Sequence, residues 1–121
     1  MKLVYITGPR VGGDYHETER HIGYAREWAE KLARAGHAFY CPQLNAAHFD
    51  VVAPDIPNDF WREMDLKVLR RCDAVLLVPG WDNDESTKRD VHYANTWGIP
   101  VAVDITEIEE LPPPKTEHAG S

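Results

Sequence analysis

The sequence predicts an α/β domain folded as a three-layer sandwich, with a small parallel sheet of four to five strands between helices. Three observations carry that expectation. Four short apolar runs recur along the 121 residues, at 3–7 (LVYIT), 37–42 (HAFYCP), 74–80 (AVLLVPG) and 99–105 (IPVAVDI). Each is nearly continuous rather than alternating, which suits strands buried on both faces of a parallel sheet. The stretches between them carry helical periodicity, so strand and helix alternate and right-handed crossovers follow.

Taken in order, the first run ends in a glycine-containing turn, TGPRVGGDYH at 7–16. Over 17–35, Ile22, Ala25, Trp28, Ala29 and Leu32 recur at intervals of three and four, and Gly36 supplies a stop. The second run leads into a long segment, 41–59, punctuated by Pro42, Pro54 and Pro57. Connections of that length in a compact domain are either functional lids or disordered. Its Leu44, Phe49 and Val51 favour a packed loop. Asn58 or Asp59 then caps a second helix carrying Phe60, Trp61, Met64, Val68 and Leu69. After the third run, Ser86 caps a third helix that runs through Val91 and Ala94 to Trp97, before Gly98 and Pro100 end it. The domain is expected over 1–110, with the proline-rich stretch 111–121 as a disordered or extended tail.

The totals narrow the function. The length suits one domain, and 43% hydrophobic with 27% charged residues is a globular composition. A net charge of −7 argues against a nucleic-acid polymer as partner, because phosphate backbones are bound by clustered Lys and Arg. A single nucleotide stays open, since a helix N-terminus holds phosphate without net positive charge. Cys41 and Cys72 form neither a metal nor a redox pair and read as buried thiols of a reducing compartment. The six histidines show no zinc-ligand spacing, so neither metal nor cofactor is expected. No apolar run is long enough to span a bilayer and no signal-peptide pattern opens the chain, which points to the cytoplasm and to no membrane partner.

In an open parallel sheet, ligands sit beyond the carboxyl ends of the strands, where strand order reverses. A flavodoxin-like order makes the first and third strands neighbours, so the turn at 7–16 meets PGWDNDES at 79–86 in one crevice. Gly8, Gly12 and Gly13 either let backbone N–H groups approach a ligand closely or make a purely structural turn. The turn is neither a Walker loop nor a dinucleotide fingerprint. Asp65 shares the apolar face of the second helix with Trp61, Val68 and Leu69. A buried carboxyl there is either bonded to a loop or an Arg, or is a proton donor with a raised pKa. Asp90, one turn inside a helix capped by Ser86, is either a surface acid paired with Lys88 or Arg89, or an ionised nucleophile. Two carboxyls in contrasting surroundings are the usual pair for cleaving a glycosidic bond. Trp81 stacks on a base or fills the gap beneath the long loop. Asn45 and His48 touch a base or ribose, or are ordinary loop residues. Cys72 and Asp73, at the amino end of the third strand, read as structural.

Three stretches, YITGP at 5–9, DLKVLRRCDAVLLVPGW at 65–81 and DESTKRDVHYA at 84–94, resemble the nucleoside 2-deoxyribosyltransferase superfamily. The resemblance covers most of 1–105, and is nearest to small bacterial and phage members and to nucleoside 5′-monophosphate N-glycosidases. It implies a flavodoxin-like sandwich, a homodimer or higher oligomer in which a neighbouring subunit helps complete each site, and a small-molecule nucleotide or nucleoside as ligand. It also implies cleavage of the N-glycosidic bond through a covalent glycosyl-carboxylate, resolved by water (hydrolysis) or by a second base (transfer). Carried onto this chain, Asp90 is the nucleophile, Asp84 orients it, and Asp65 contacts or protonates the departing base. Tyr5 with Gly8 and Pro9 borders the sugar, while Gly12, Gly13 and Ser86 hold its hydroxyl or 5′-phosphate end. The chain departs from the pattern at three points. Asp90 is one methylene shorter than the usual Glu, and Ser86 stands in place of Gly. Arg10, the phosphate contact, falls one residue early, with Val11 directly before the glycine pair.

Overall fold

A computed structural model describes residues 1–9 and 15–113. Four strands form one parallel sheet: β1 (Leu3–Thr7), β2 (Ala38–Tyr40), β3 (Ala74–Leu77) and β4 (Val101–Ala102), in the order β2-β1-β3-β4. This is the flavodoxin-like order, with the first and third strands adjacent. Among the described residues, six α-helices accompany the sheet: α1 (Tyr15–Arg34), α2 (Pro42–Asn45), α3 (Phe49–Val52), α4 (Asn58–Leu69), α5 (Glu85–Thr96) and α6 (Ile105–Glu110).

The pleat explains the layers, because successive strand side chains point to opposite faces. Val4 and Ile6 of β1, with Ala74 and Leu76 of β3, pack against Ala25, Ala29 and Leu32 of α1 and Ile108 of α6. Tyr5, Val75 and Leu77 face the other way and meet Leu69 of α4 and Ala94 of α5. Full burial on both faces holds for β3 and, after Leu3, for β1. At the edge it fails: β2 exposes 41% of Phe39, because the edge strand is covered on only one side.

The long segment is less irregular than its prolines imply. It carries α2 and α3, four residues each, too short to leave a periodic signal. Leu44 and Phe49 are partly buried, but Val51 is 71% exposed and does not help to pack it. The ends of three helices also differ from expectation. α1 begins at Tyr15 and stops at Arg34. α4 starts at Asn58 behind Pro57, whose fixed φ of −71° leads into the helix, so neither Asn58 nor Asp59 caps it. α5 is capped by Asp84, whose side chain accepts from the Thr87 backbone N–H, and not by Ser86.

Cys72 and Asp73 tie α4 to the sheet. Asp73 Oδ2 accepts the Leu3 N–H at 2.7 Å, and the Cys72 thiol donates to the Val68 carbonyl at 3.3 Å. Both cysteines are free and buried. Among the described residues, no helix is long and apolar enough to cross a membrane. Leu111 packs against the α1-side core, and the part of the tail at 114–121 lies outside the described residues.

Candidate active site

Side chains of β1 and of the carboxyl end of β2 build the centre of the site. Tyr5 and Tyr40 lie opposite one another in the parallel register, and their rings stack with centroids 5.7 Å apart. Each tyrosine hydroxyl donates to a carboxylate on a different helix. Tyr5 donates to Asp90 Oδ2 of α5 at 3.3 Å, and Tyr40 to Asp65 Oδ1 of α4 at 2.8 Å. Two neighbouring strand positions thus gather two acids that are distant in sequence.

Asp90 is 4% exposed, so the reading as a surface acid does not hold. Lys88 pairs instead with Glu85, at 3.4 Å. The Thr7 hydroxyl, two residues beyond Tyr5 on the same face of β1, donates to the same Asp90 oxygen at 2.9 Å. Because α5 starts at Glu85, Asp90 sits in its second turn rather than its first. Asp84 acts on it at one remove. Its Oδ2 takes both the N–H and the hydroxyl of Thr87, at 2.9 and 2.8 Å. The Thr87 oxygen stands 3.4 Å from that of Thr7. A chain of short polar side chains therefore runs from the helix cap to Asp90.

Asp65 is 8% exposed on the inward face of α4. Asn45 donates to the Tyr40 oxygen at 3.2 Å, extending this second chain into α2. Both acids line one solvent-reachable crevice of about 540 Å³ between α4, α5 and the 41–59 segment. Ser86 and His48 line it too. His48 adopts φ 67°, the left-handed region that a non-glycine residue rarely occupies, and its Nε2 lies 2.7 Å from Glu19 Oε1 of α1. That contact holds the turn between α2 and α3 over the crevice.

Other expected residues stand elsewhere. Trp81 packs on the α4–α5 side of the core and is absent from the described crevice lining. Asn45 and Asp84 act through Tyr40 and Thr87 rather than from the wall. Gly8 meets a steric demand: a Cβ there would come within 2.6 Å of the Val78 Cβ. The Pro9 carbonyl accepts from the Gln43 amide, which ties the turn after β1 to α2. Arg10, Gly12 and Gly13 lie outside the described residues. Thr7, Tyr40 and Thr87 were missed from sequence, although Tyr40 carried a signal, being polar at the carboxyl end of a strand run. Among the described residues, no cluster of three or more His, Cys, Asp or Glu is placed to hold a metal ion.

This arrangement invites comparison with known proteins. The chain matches no curated protein. It is similar in structure to a 2-deoxyribosyltransferase from the psychrotolerant bacterium Bacillus psychrosaccharolyticus, with a TM-score of 0.56 and 18% identity over 90% of this chain and 82% of that one. At that identity the likeness establishes a shared fold. In sequence, residues 2–103 match the family described as a domain of unknown function, DUF4406. The match spans the whole sheet and both site helices, and the chain belongs to that family.

Proposed function

We propose that this protein cleaves the N-glycosidic bond of a nucleoside 5′-monophosphate, releasing the base and a sugar phosphate. The observation that carries this reading is the pair of carboxylates lining one crevice, each held by one of two stacked tyrosines. The fold shared with a 2-deoxyribosyltransferase supports glycosyl chemistry at this place.

In the first step an Asp90 oxygen bonds to the anomeric carbon as the C–N bond breaks. The bonding pair leaves with the base nitrogen, and Asp65 supplies the proton. In the second step water attacks the same carbon and gives its proton to Asp65, and the ester bond to Asp90 breaks. Asp90 returns as a carboxylate, so each acid ends as it began. Thr7 and Tyr5 fix the position of the nucleophile against β1. Replacement of water by a second base would give transfer, by the same first step.

The test is base release, followed by chromatography, from a panel of ribo- and deoxyribonucleoside 5′-monophosphates. Release from at least one nucleotide is expected. Asp90→Ala is expected to lower it by about a thousandfold or more. Binding without release from any nucleotide would replace the reading with that of a nucleotide-binding protein. Release unaffected by Asp90→Ala would remove Asp90 from the chemistry.

A further inference from the structure

Two arginines in the crevice take no part in the chain of contacts that holds the acids. Arg62 stands on α4 three residues before Asp65, and Arg89 stands on α5 three residues after Ser86 and directly before Asp90. Both line the same crevice as the two carboxylates. Neither makes an ion pair or hydrogen bond among the described residues, whereas Lys88 beside them is paired with Glu85 and His48 with Glu19. Asp50, a further acid on the wall, is likewise bonded to neither arginine.

Two guanidiniums that line one cavity from different helices, neither bonded to a described acid, keep their donors available to an anionic ligand. A guanidinium also offers a planar fork of donors that matches phosphate two bonds at a time. The reaction limits where that anion can sit. Breaking a glycosidic bond builds positive charge on the sugar ring, which nearby cations oppose. The arginines must therefore act at the end of the ligand away from the anomeric carbon. Spacing on α5 agrees, because residues three apart share a helix face, so Ser86 and Arg89 point to one place.

We infer that Arg62 and Arg89, with Ser86, form a clamp for the 5′-phosphate and make the site select nucleotides over nucleosides. The inference rests on the glycosidase reading for the position of the sugar, and it assigns the phosphate to α4 and α5 rather than to the turn after β1 alone.

The probe is ribose 5-phosphate, titrated calorimetrically into the wild type, Arg62→Gln and Arg89→Gln, each first shown to be folded by circular dichroism. The wild type is expected to bind it. Each substitution should weaken binding by about ten- to a hundredfold, the worth of one charged hydrogen-bonding partner. Arg89→Lys, which keeps the charge and loses the fork, should fall between. Wild-type protein that ignores ribose 5-phosphate, or variants that bind it unchanged, would overturn the clamp. Base release on the same samples separates the two readings. Arginine-dependent binding with no base released would sink the glycosidase and leave the clamp. Release from low concentrations of nucleotide that is undiminished in both variants would sink the clamp and leave the glycosidase.

Discussion

Tyr40 shows what one side chain contributes to the site. Its ring stacks on Tyr5 and its hydroxyl donates to Asp65 and accepts from Asn45, so Tyr40→Phe removes that hydroxyl while leaving the stack in place. A buried acceptor that loses a partner costs about 1–3 kcal/mol. Tyr40→Phe is therefore expected to lower unfolding free energy in urea by about that amount and to reduce turnover more than substrate affinity. A double-mutant cycle with Asp65→Asn isolates the pair, since contacting residues are non-additive. Additive losses would mean that the two side chains are not coupled. Of the two acids, Asp65 was legible from sequence because helical spacing alone puts it on an apolar face, whereas spacing left Asp90 open between surface and site. Tyr40 was not legible, because its role depends on lying opposite Tyr5, and cross-strand register is not written in either strand by itself.

The start of α5 is the element on which the site turns. Asp84 satisfies the Thr87 N–H at the helix end and, through the Thr87 hydroxyl, borders the Thr7–Asp90 bond. Losing such a cap costs about 1 kcal/mol, which for a domain of this size is a fall of roughly 3–6 °C in melting temperature. Asp84→Ala is expected to show that fall, whereas Ser86→Ala should leave the melting temperature within about a degree, since Ser86 does not cap. The reverse result would restore Ser86 as the cap. Both residues are good capping types, two positions apart, so composition could not choose between them. The choice was made by the turn of 3₁₀ helix at Trp81–Asn83, which delivers Asp84 in extended geometry at the helix mouth. The four main runs were readable because continuous apolar stretches bounded by glycine and proline have few other uses. α2 and α3, each a single turn, had no room to show a period.

Across the whole molecule, the α4–α5 layer couples the site to global stability, and Cys72 offers a way to measure that. The thiol lies in the core that contains Tyr5, Leu69 and Ala94, at the junction of α4 with β3. Burial, with the neighbouring Asp73 charge adding to it, pushes this thiol up from its ordinary 9.0 to about 12. The neutral form also donates to the Val68 carbonyl, a bond that ionisation would destroy. Above pH 9 the unfolded chain therefore releases a proton that the folded chain retains, and linkage makes stability fall as pH rises. The contribution is fully present below about pH 9 and is lost progressively towards pH 12. Cys72→Ala leaves a small cavity, whose cost does not depend on pH, and it abolishes this slope. Urea unfolding followed from about pH 8 to pH 11 should therefore show a steeper decline in the wild type than in Cys72→Ala. Other groups common to both proteins cancel in the difference. Parallel declines would mean that the Cys72 thiol is not held neutral by its surroundings in the folded domain.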